Sequence, residues 1–366
     1  MGGIETIAAQ MAENLTKLGH DCTVVTQSTL ELGQTDNYPY PIVRSPNRAT
    51  KIKLIKDCDI VYSNGASVQL FWWAKWLGKP FVWTHQGYQL SCIDGLGWVE
   101  GEAAPFGPFP SFVYHAKRFG IVTAFLGVVK LMLRRLAGKW VDQNVAVTTW
   151  VAYRQPLPHQ IVLHTPYRVQ KFAVLSSLRS DFEYDFVFVG RLVSEKGVET
   201  LLNAFQLLLQ RNSDYDGKLL LIGDGTWRTL METKCRELQI ETRVRFAGKK
   251  TGEELLTWVG KGKIAVIPSE WEEPMGGVSL EMMAAGKPII VSRRGGLAEC
   301  VGKAGLVFEN GDRKDLADTM EQLLKDQALQ ETLRNEAKEQ LKKLDEVVLT
   351  QNYVDLFEQI IKKRER

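Results

Sequence analysis

Asp185-Phe186-Val187-Phe188-Val189-Gly190-Arg191-Leu192-Val193-Ser194-Glu195-Lys196-Gly197 is the stretch that decides how this chain folds. Its apolar run has no polar alternation and stops at a glycine, the pattern of a strand buried on both faces of a parallel sheet. A polar turn follows, and then a helix predicted at about 197–211. The same order recurs downstream. Strands are predicted at Lys218–Ile222, Arg243–Ala247, Ile264–Pro268, Pro288–Ser292 and Gly305–Phe308, with helices at about 226–238, 253–259 and 278–285. Strands alternating with helices make a doubly wound α/β domain.

The first half carries the same grammar more faintly. Ile4, Ile7, Met11, Leu15 and Leu18 form one apolar helical stripe, ended by Gly19-His20. Short strands are predicted at Cys22–Thr26, Ile42–Val43, Asp59–Tyr62, Pro80–Thr84 and Asn144–Thr148. A doubly wound domain normally opens with a strand, whereas this sequence opens on a glycine turn and a helix. The first strand is therefore expected to be missing, either through a misassigned start or because the sheet lacks a central strand. A linker is placed near 163–170, so 1–165 and 166–345 read as two Rossmann-like domains. Residues 346–366 form a last helix whose apolar stripe (Tyr353, Leu356, Phe357, Ile360, Ile361) must dock on one of them.

Composition narrows the function. A chain of 366 residues exceeds the usual single core, and 45% hydrophobic with 24% charged residues is ordinary for a globular enzyme. A net charge of +3 gives no support to nucleic-acid binding. Five scattered cysteines without a CxxC pair suit reduced thiols in the cytoplasm. The amino terminus lacks the basic start and apolar core of a signal peptide. Residues 119–133 fall short of the roughly 20 apolar residues a membrane span needs.

Four turns carry chemistry, each just past a predicted strand, where ligands bind in such sheets. In the first, Gly190 lets the backbone turn, and Arg191 and Lys196 supply cations suited to a diphosphate. In the second, Ser269 to Glu281, Gly276 and Gly277 let a ligand approach the backbone at a helix start whose amides favour an anion. Glu273 precedes that helix and Glu281 lies about one turn inside it. A carboxylate at a helix start can also be a plain dipole partner. Gly223-Asp224-Gly225 and Ser292 to Glu299 complete the set.

These residues resemble the retaining glycosyltransferases of family 4. The likeness rests on GGIE at the start, GRLVSEKG, GDG, the glutamates at 273 and 281 with seven residues between, and GG…E at 295–299. It implies the GT-B architecture, two Rossmann-like domains facing each other across a cleft. It further implies transfer of a hexose from a UDP- or GDP-sugar to a glycan or lipid-linked acceptor, without metal or other cofactor. Arg191 and Lys196 would hold the donor diphosphate, and Glu281 the ribose hydroxyls. Glu273 would face the transferred sugar, and Gly190 and the amides around Met275, Gly276 and Gly277 would line the donor. Gly2 and Gly3 would form the opposite lip, and His85 would reach the sugar or acceptor, unless it is a structural histidine. The glycine- and acid-rich segment from Cys92 to Gly107 is read as shaping the acceptor site.

Other readings stay open. A non-catalytic nucleotide-sugar-binding protein, or an epimerase or phosphorylase of the same architecture, would share these turns. Asp214-Tyr215-Asp216 has the DxD spacing of a metal site, yet precedes a strand and reads as a solvated turn. Residues 117–139, apolar with basic ends, are either a buried helix or an interfacial helix on anionic lipid at the inner membrane face. The tryptophans crowded before residue 151 are either core or acceptor groove.

Overall fold

The computed structural model describes residues 3–28, 38–65, 68–177 and 182–365. The chain divides into two compact units: Met1–Leu96 with Ala104–Arg168 and Leu344–Arg366, and Gly97–Ala103 with Val169–Lys343.

The first unit runs α1 (Gly3–Lys17), β1 (Val24–Thr26), β2 (Ile42–Arg44), α2 (Arg48–Asp57), β3 (Val61–Ser63), α3 (Val68–Trp76) and β4 (Phe81–His85). After a short excursion, β5 (Trp98–Val99) and β6 (Glu102–Ala103), which folds with the second unit, it continues. There follow α4 (Pro108–Phe119), α5 (Ile121–Trp140), β7 (Gln143–Ala146), α6 (Thr149–Arg154) and β8 (Gln160–Val162). Strands β3, β4, β7 and β8 pair in that order, all parallel, and β1 and β2 form a separate parallel pair. Side chains of β4 alternate between two cores, as strand geometry requires. Val82 packs with Met11, Leu15, Tyr353 and Phe357, while Phe81 and Trp83 pack with Ile55, Phe71 and Ala137. The carboxyl-terminal helix is thus part of the first unit. Trp83 is buried, and Trp72 and Trp73 pack against its core, so these tryptophans are structural.

The second unit contains α7 (Gln170–Ala173), β9 (Tyr184–Val189), α8 (Val198–Arg211), β10 (Leu219–Ile222), α9 (Arg228–Glu237), β11 (Val244–Gly248) and α10 (Gly252–Gly260). It continues with β12 (Gly262–Ile267), α11 (Gly277–Ala284), β13 (Ile289–Ser292), α12 (Leu297–Val301), β14 (Gly305–Phe308), α13 (Arg313–Lys325) and α14 (Gln327–Lys343), and α15 (Glu346–Glu365) returns to the first unit. All six strands are parallel, in the order β11-β10-β9-β12-β13-β14. The chain lays β10 and β11 on one side of β9, then crosses to lay β12 to β14 on the other. The switch point of the sheet therefore falls between β9 and β12.

The buried-helix reading of 117–139 needs correction. Gly120, with φ of 87°, breaks the segment into α4 and α5, and the apolar stripe of α5 faces outward, with Ile121, Phe125, Leu126 and Met132 all exposed.

Candidate functional site

Strands β9 and β12 are hydrogen-bonded neighbours, with Ile264 opposite Phe186 and Ala265 opposite Val187. The two turns that sequence pattern singled out leave these strands at the same edge, at the switch point. Their backbones then interlock: the Glu195 carbonyl accepts from the amides of Glu270 at 3.1 Å and Trp271 at 3.2 Å. Gly197 closes the first turn with φ of 65°, and a Cβ there would stand 1.9 Å from the Pro268 carbonyl oxygen. Only glycine lets the turn lie this close to the end of β12.

That approach brings Lys196 to Glu273, Nζ to Oε1 at 2.7 Å, with side chains 18% and 11% exposed. The Ser269 hydroxyl donates to the same carboxylate oxygen, and Lys196 also lies 5.5 Å from the centre of the Trp271 ring. Glu273 is fixed by its backbone as well, since its carbonyl accepts from Gly296 at 2.6 Å and the residue bridges Gly295. The turn from Ser292 to Glu299 is thereby stitched to the second. Asn310 adds a further tie, donating from Nδ2 to the Ser269 carbonyl at 3.0 Å.

Gly276 caps α11 and is buried; a Cβ there would meet Leu297 Cδ2 at 2.5 Å. Gly277 begins the helix, Met275 is half-buried, and Glu281 is half-buried one turn along. The Gly223 turn nests on the first, because a Cβ on Gly223 would fall 1.8 Å from the Gly190 carbonyl oxygen. Burial and the neighbouring Glu199 raise the pKa of Glu270, which accepts from Thr200 at 2.5 Å.

Arg191 is placed differently from Lys196. Its side chain is 68% exposed and pairs with Glu195 at 2.9 Å, on the rim of the edge. His85 belongs to the first unit, where it ends β4 in full burial. Its Nε2 lies 2.9 Å from Asn144 Oδ1, while Nδ1 has no partner among the described residues. Burial lowers its pKa to about 4, so the ring is neutral. Gly3 opens α1, and Gly2 lies outside the described residues. Asp216 pairs with Arg243, in the segment before β10, at the opposite edge from these turns.

Sequence pattern missed Ser269, whose hydroxyl reaches the Glu273 carboxylate four residues on, and Asn310, whose tie to the Ser269 carbonyl crosses the fold. It also missed that residues 97–103 fold with the second unit, where the Trp98 indole donates to Ser194 Oγ at 3.0 Å.

The family model for glycosyl transferases group 1 matches residues 176–340, and that for Glycosyltransferase Family 4 matches residues 1–154. The chain belongs to glycosyltransferase family 4. This family-4 chain is similar to a glycosyltransferase of Methanocaldococcus jannaschii, 35% identical over 43% of the chain and 40% of that protein. It is also similar to the D-inositol 3-phosphate glycosyltransferase of Corynebacterium urealyticum, 36% identical over 38% of the chain and 34% of that protein. Each match thus spans less than half the length of the curated relative. Among solved structures it resembles Anabaena HepE in complex with UDP, with a TM-score of 0.74, 17% identity, and coverage of 98% and 96% of the two chains. At that identity the likeness concerns the fold, which is GT-B.

Proposed function

We propose that this family-4 protein is a retaining glycosyltransferase that moves a hexose from a UDP- or GDP-sugar to a glycan or lipid-linked acceptor, without a metal. One observation carries the reading: Lys196 and Glu273, from two turns, meet at the switch point of the second sheet, three residues before the glycine that caps α11. Breaking a sugar–phosphate bond develops negative charge on the leaving diphosphate. A fixed ammonium and the first amides of a helix stabilise that charge without reorganising. Lys196 supplies the first and the start of α11 the second, with Arg191 reaching from the rim.

In this reading Glu273 orients Lys196 and meets the transferred sugar, and Glu281 takes the ribose hydroxyls. The acceptor attacks the anomeric carbon from the face the diphosphate leaves, and its proton passes to the departing phosphate oxygen. No side-chain base is needed, and His85, neutral and buried, serves as a hydrogen-bonding group rather than a base. The curated relatives named above are glycosyltransferases, and the HepE structure holds UDP, which supports a nucleoside diphosphate donor.

The test is thermal unfolding with UDP, GDP and a panel of their sugars, since a ligand that binds the folded state raises its apparent stability. The expected result is stabilisation by one nucleotide series, lost in Lys196→Ala. Turnover in the presence of EDTA and the anomeric configuration of the product, read by NMR, test metal independence and retention. Donor epimerised without acceptor, or turnover dependent on inorganic phosphate, would move the assignment to the other enzymes of this architecture. Stabilisation by no nucleotide would remove it.

A further inference from the structure

Between Glu102 and Asp142 the sequence has no acidic residue, while Lys117, Arg118, Lys130, Arg134, Arg135 and Lys139 all fall there. The two helices in this interval, α4 and α5, therefore carry charge of one sign. Helix α5 turns one face inward through Ala124, Leu131, Ala137 and Gly138. It is held there by Arg135, which donates to the Leu90 carbonyl at 2.8 Å, and by Arg134, at 3.4 Å from that of Gln89. The opposite face is apolar and uncovered. Val122 is 70% exposed, Leu126 63% and Phe125 58%, and the stripe continues through Met132 and Leu133 to Trp140.

At 3.6 residues per turn these side chains fill an arc of roughly 120°, with Lys130 near one border and Lys139 near the other. Both lysines are exposed. Apolar residues flanked by lysines suit a helix lying in the plane of a bilayer surface, its stripe among the acyl chains and its cations among phosphates. Among the described residues no helix is long and apolar enough to cross a membrane. A second copy of the chain is a poorer occupant. A two-fold contact sets the same patch against itself, so these cations would face one another with no carboxylate on either helix to offset them.

We propose that the outward face of α5 is a docking surface for an anionic lipid bilayer. The proposal rests on this face alone and not on the transferase reading. The full chain, sedimented with vesicles of phosphatidylcholine containing about a third phosphatidylglycerol, is expected to bind at least about tenfold more tightly than to phosphatidylcholine alone, and to release as salt screens the attraction. Val122→Glu with Phe125→Glu should abolish binding. Lys130→Glu with Lys139→Glu should weaken it about tenfold, from loss and reversal of surface charge. Since these side chains are exposed, each variant should melt with the wild type. Sedimentation that ignores lipid charge and is unchanged in both variants overturns the proposal. So does a concentration-dependent dimer that Val122→Glu with Phe125→Glu dissolves, which would make a second copy the occupant.

Discussion

Lys196 Nζ lies 2.7 Å from Glu273 Oε1, although the two residues stand 77 positions apart. The pair exists because β9 and β12 are neighbours and Gly197 allows their loops to touch. Replacing Glu273 by Gln keeps the shape and removes the charge that holds the ammonium. Turnover should fall by about 10²–10³, the usual loss when one preorganised group is removed. Affinity for the free nucleoside diphosphate should hold or rise, because Lys196 loses a competing anion. Steady-state kinetics and titration calorimetry with UDP or GDP separate the two effects. Equal losses in both would show that Glu273 acts on nucleotide binding instead.

Gly197 and Gly252 both have positive φ, 65° and 56°, yet a Cβ on Gly252 would meet nothing within 4 Å. Gly252→Ala should therefore cost only the left-handed strain, about 1 kcal/mol. Gly197→Ala adds a collision with the Pro268 carbonyl and should cost about 3 kcal/mol or more. Urea unfolding of the two variants checks this. Equal losses would mean that the first turn can lift away from β12 freely.

The second unit was the more legible half. Its six predicted strands each overlap an observed one with ends within about two residues, because continuous apolar runs closed by glycine leave little choice in a sheet covered on both faces. In the first unit, β8 escaped notice because Gln160–Val162 is short and largely exposed, with no apolar run to mark it. The apolar run with basic ends pointed to a helix over 117–139 but could not say which face the body would cover, since buried Ala124, Leu131, Ala137 and Gly138 share α5 with large exposed residues. At the site, residue types and order pointed to Lys196 and Glu273, but not to Ser269 or Asn310. Serine and asparagine are common turn residues. Only the fold shows that Asn310, from beyond β14, ties down the turn after β12.

His85 makes stability depend on pH in a defined window. Its pKa is lowered from 6.5 to about 4 by burial. Between those values the unfolded chain binds a proton that the folded chain refuses, so stability rises with pH there. The contribution is complete above about 6.5 and disappears as pH falls toward 4, reaching up to about 3 kcal/mol. Chemical denaturation of the wild type and of His85→Gln across pH 4–7 should show the slope in the first and a flatter line in the second. Parallel slopes would place the titration on another group.

Arg168, just before the second unit, gathers both ends of the first. Its guanidinium lies 3.2 Å from Glu13 on α1 and 3.3 Å from Glu346 at the start of α15, and Nη2 donates to Asn14 at 3.3 Å. Lys17 and then Arg168 hold the Glu13 carboxyl below its ordinary range. The guanidinium is about one-third exposed, which moderates its worth. Arg168→Met should lower stability by about 1–2 kcal/mol. The loss should appear first in α15, whose apolar face is laid on α1 and β4 by Tyr353 and Phe357. Hydrogen exchange in peptides covering 346–365 is expected to accelerate before exchange in β4 does, as a segment that opens locally. Acceleration spread evenly over the first unit would mean that Arg168 supports the whole unit and not the seat of its last helix.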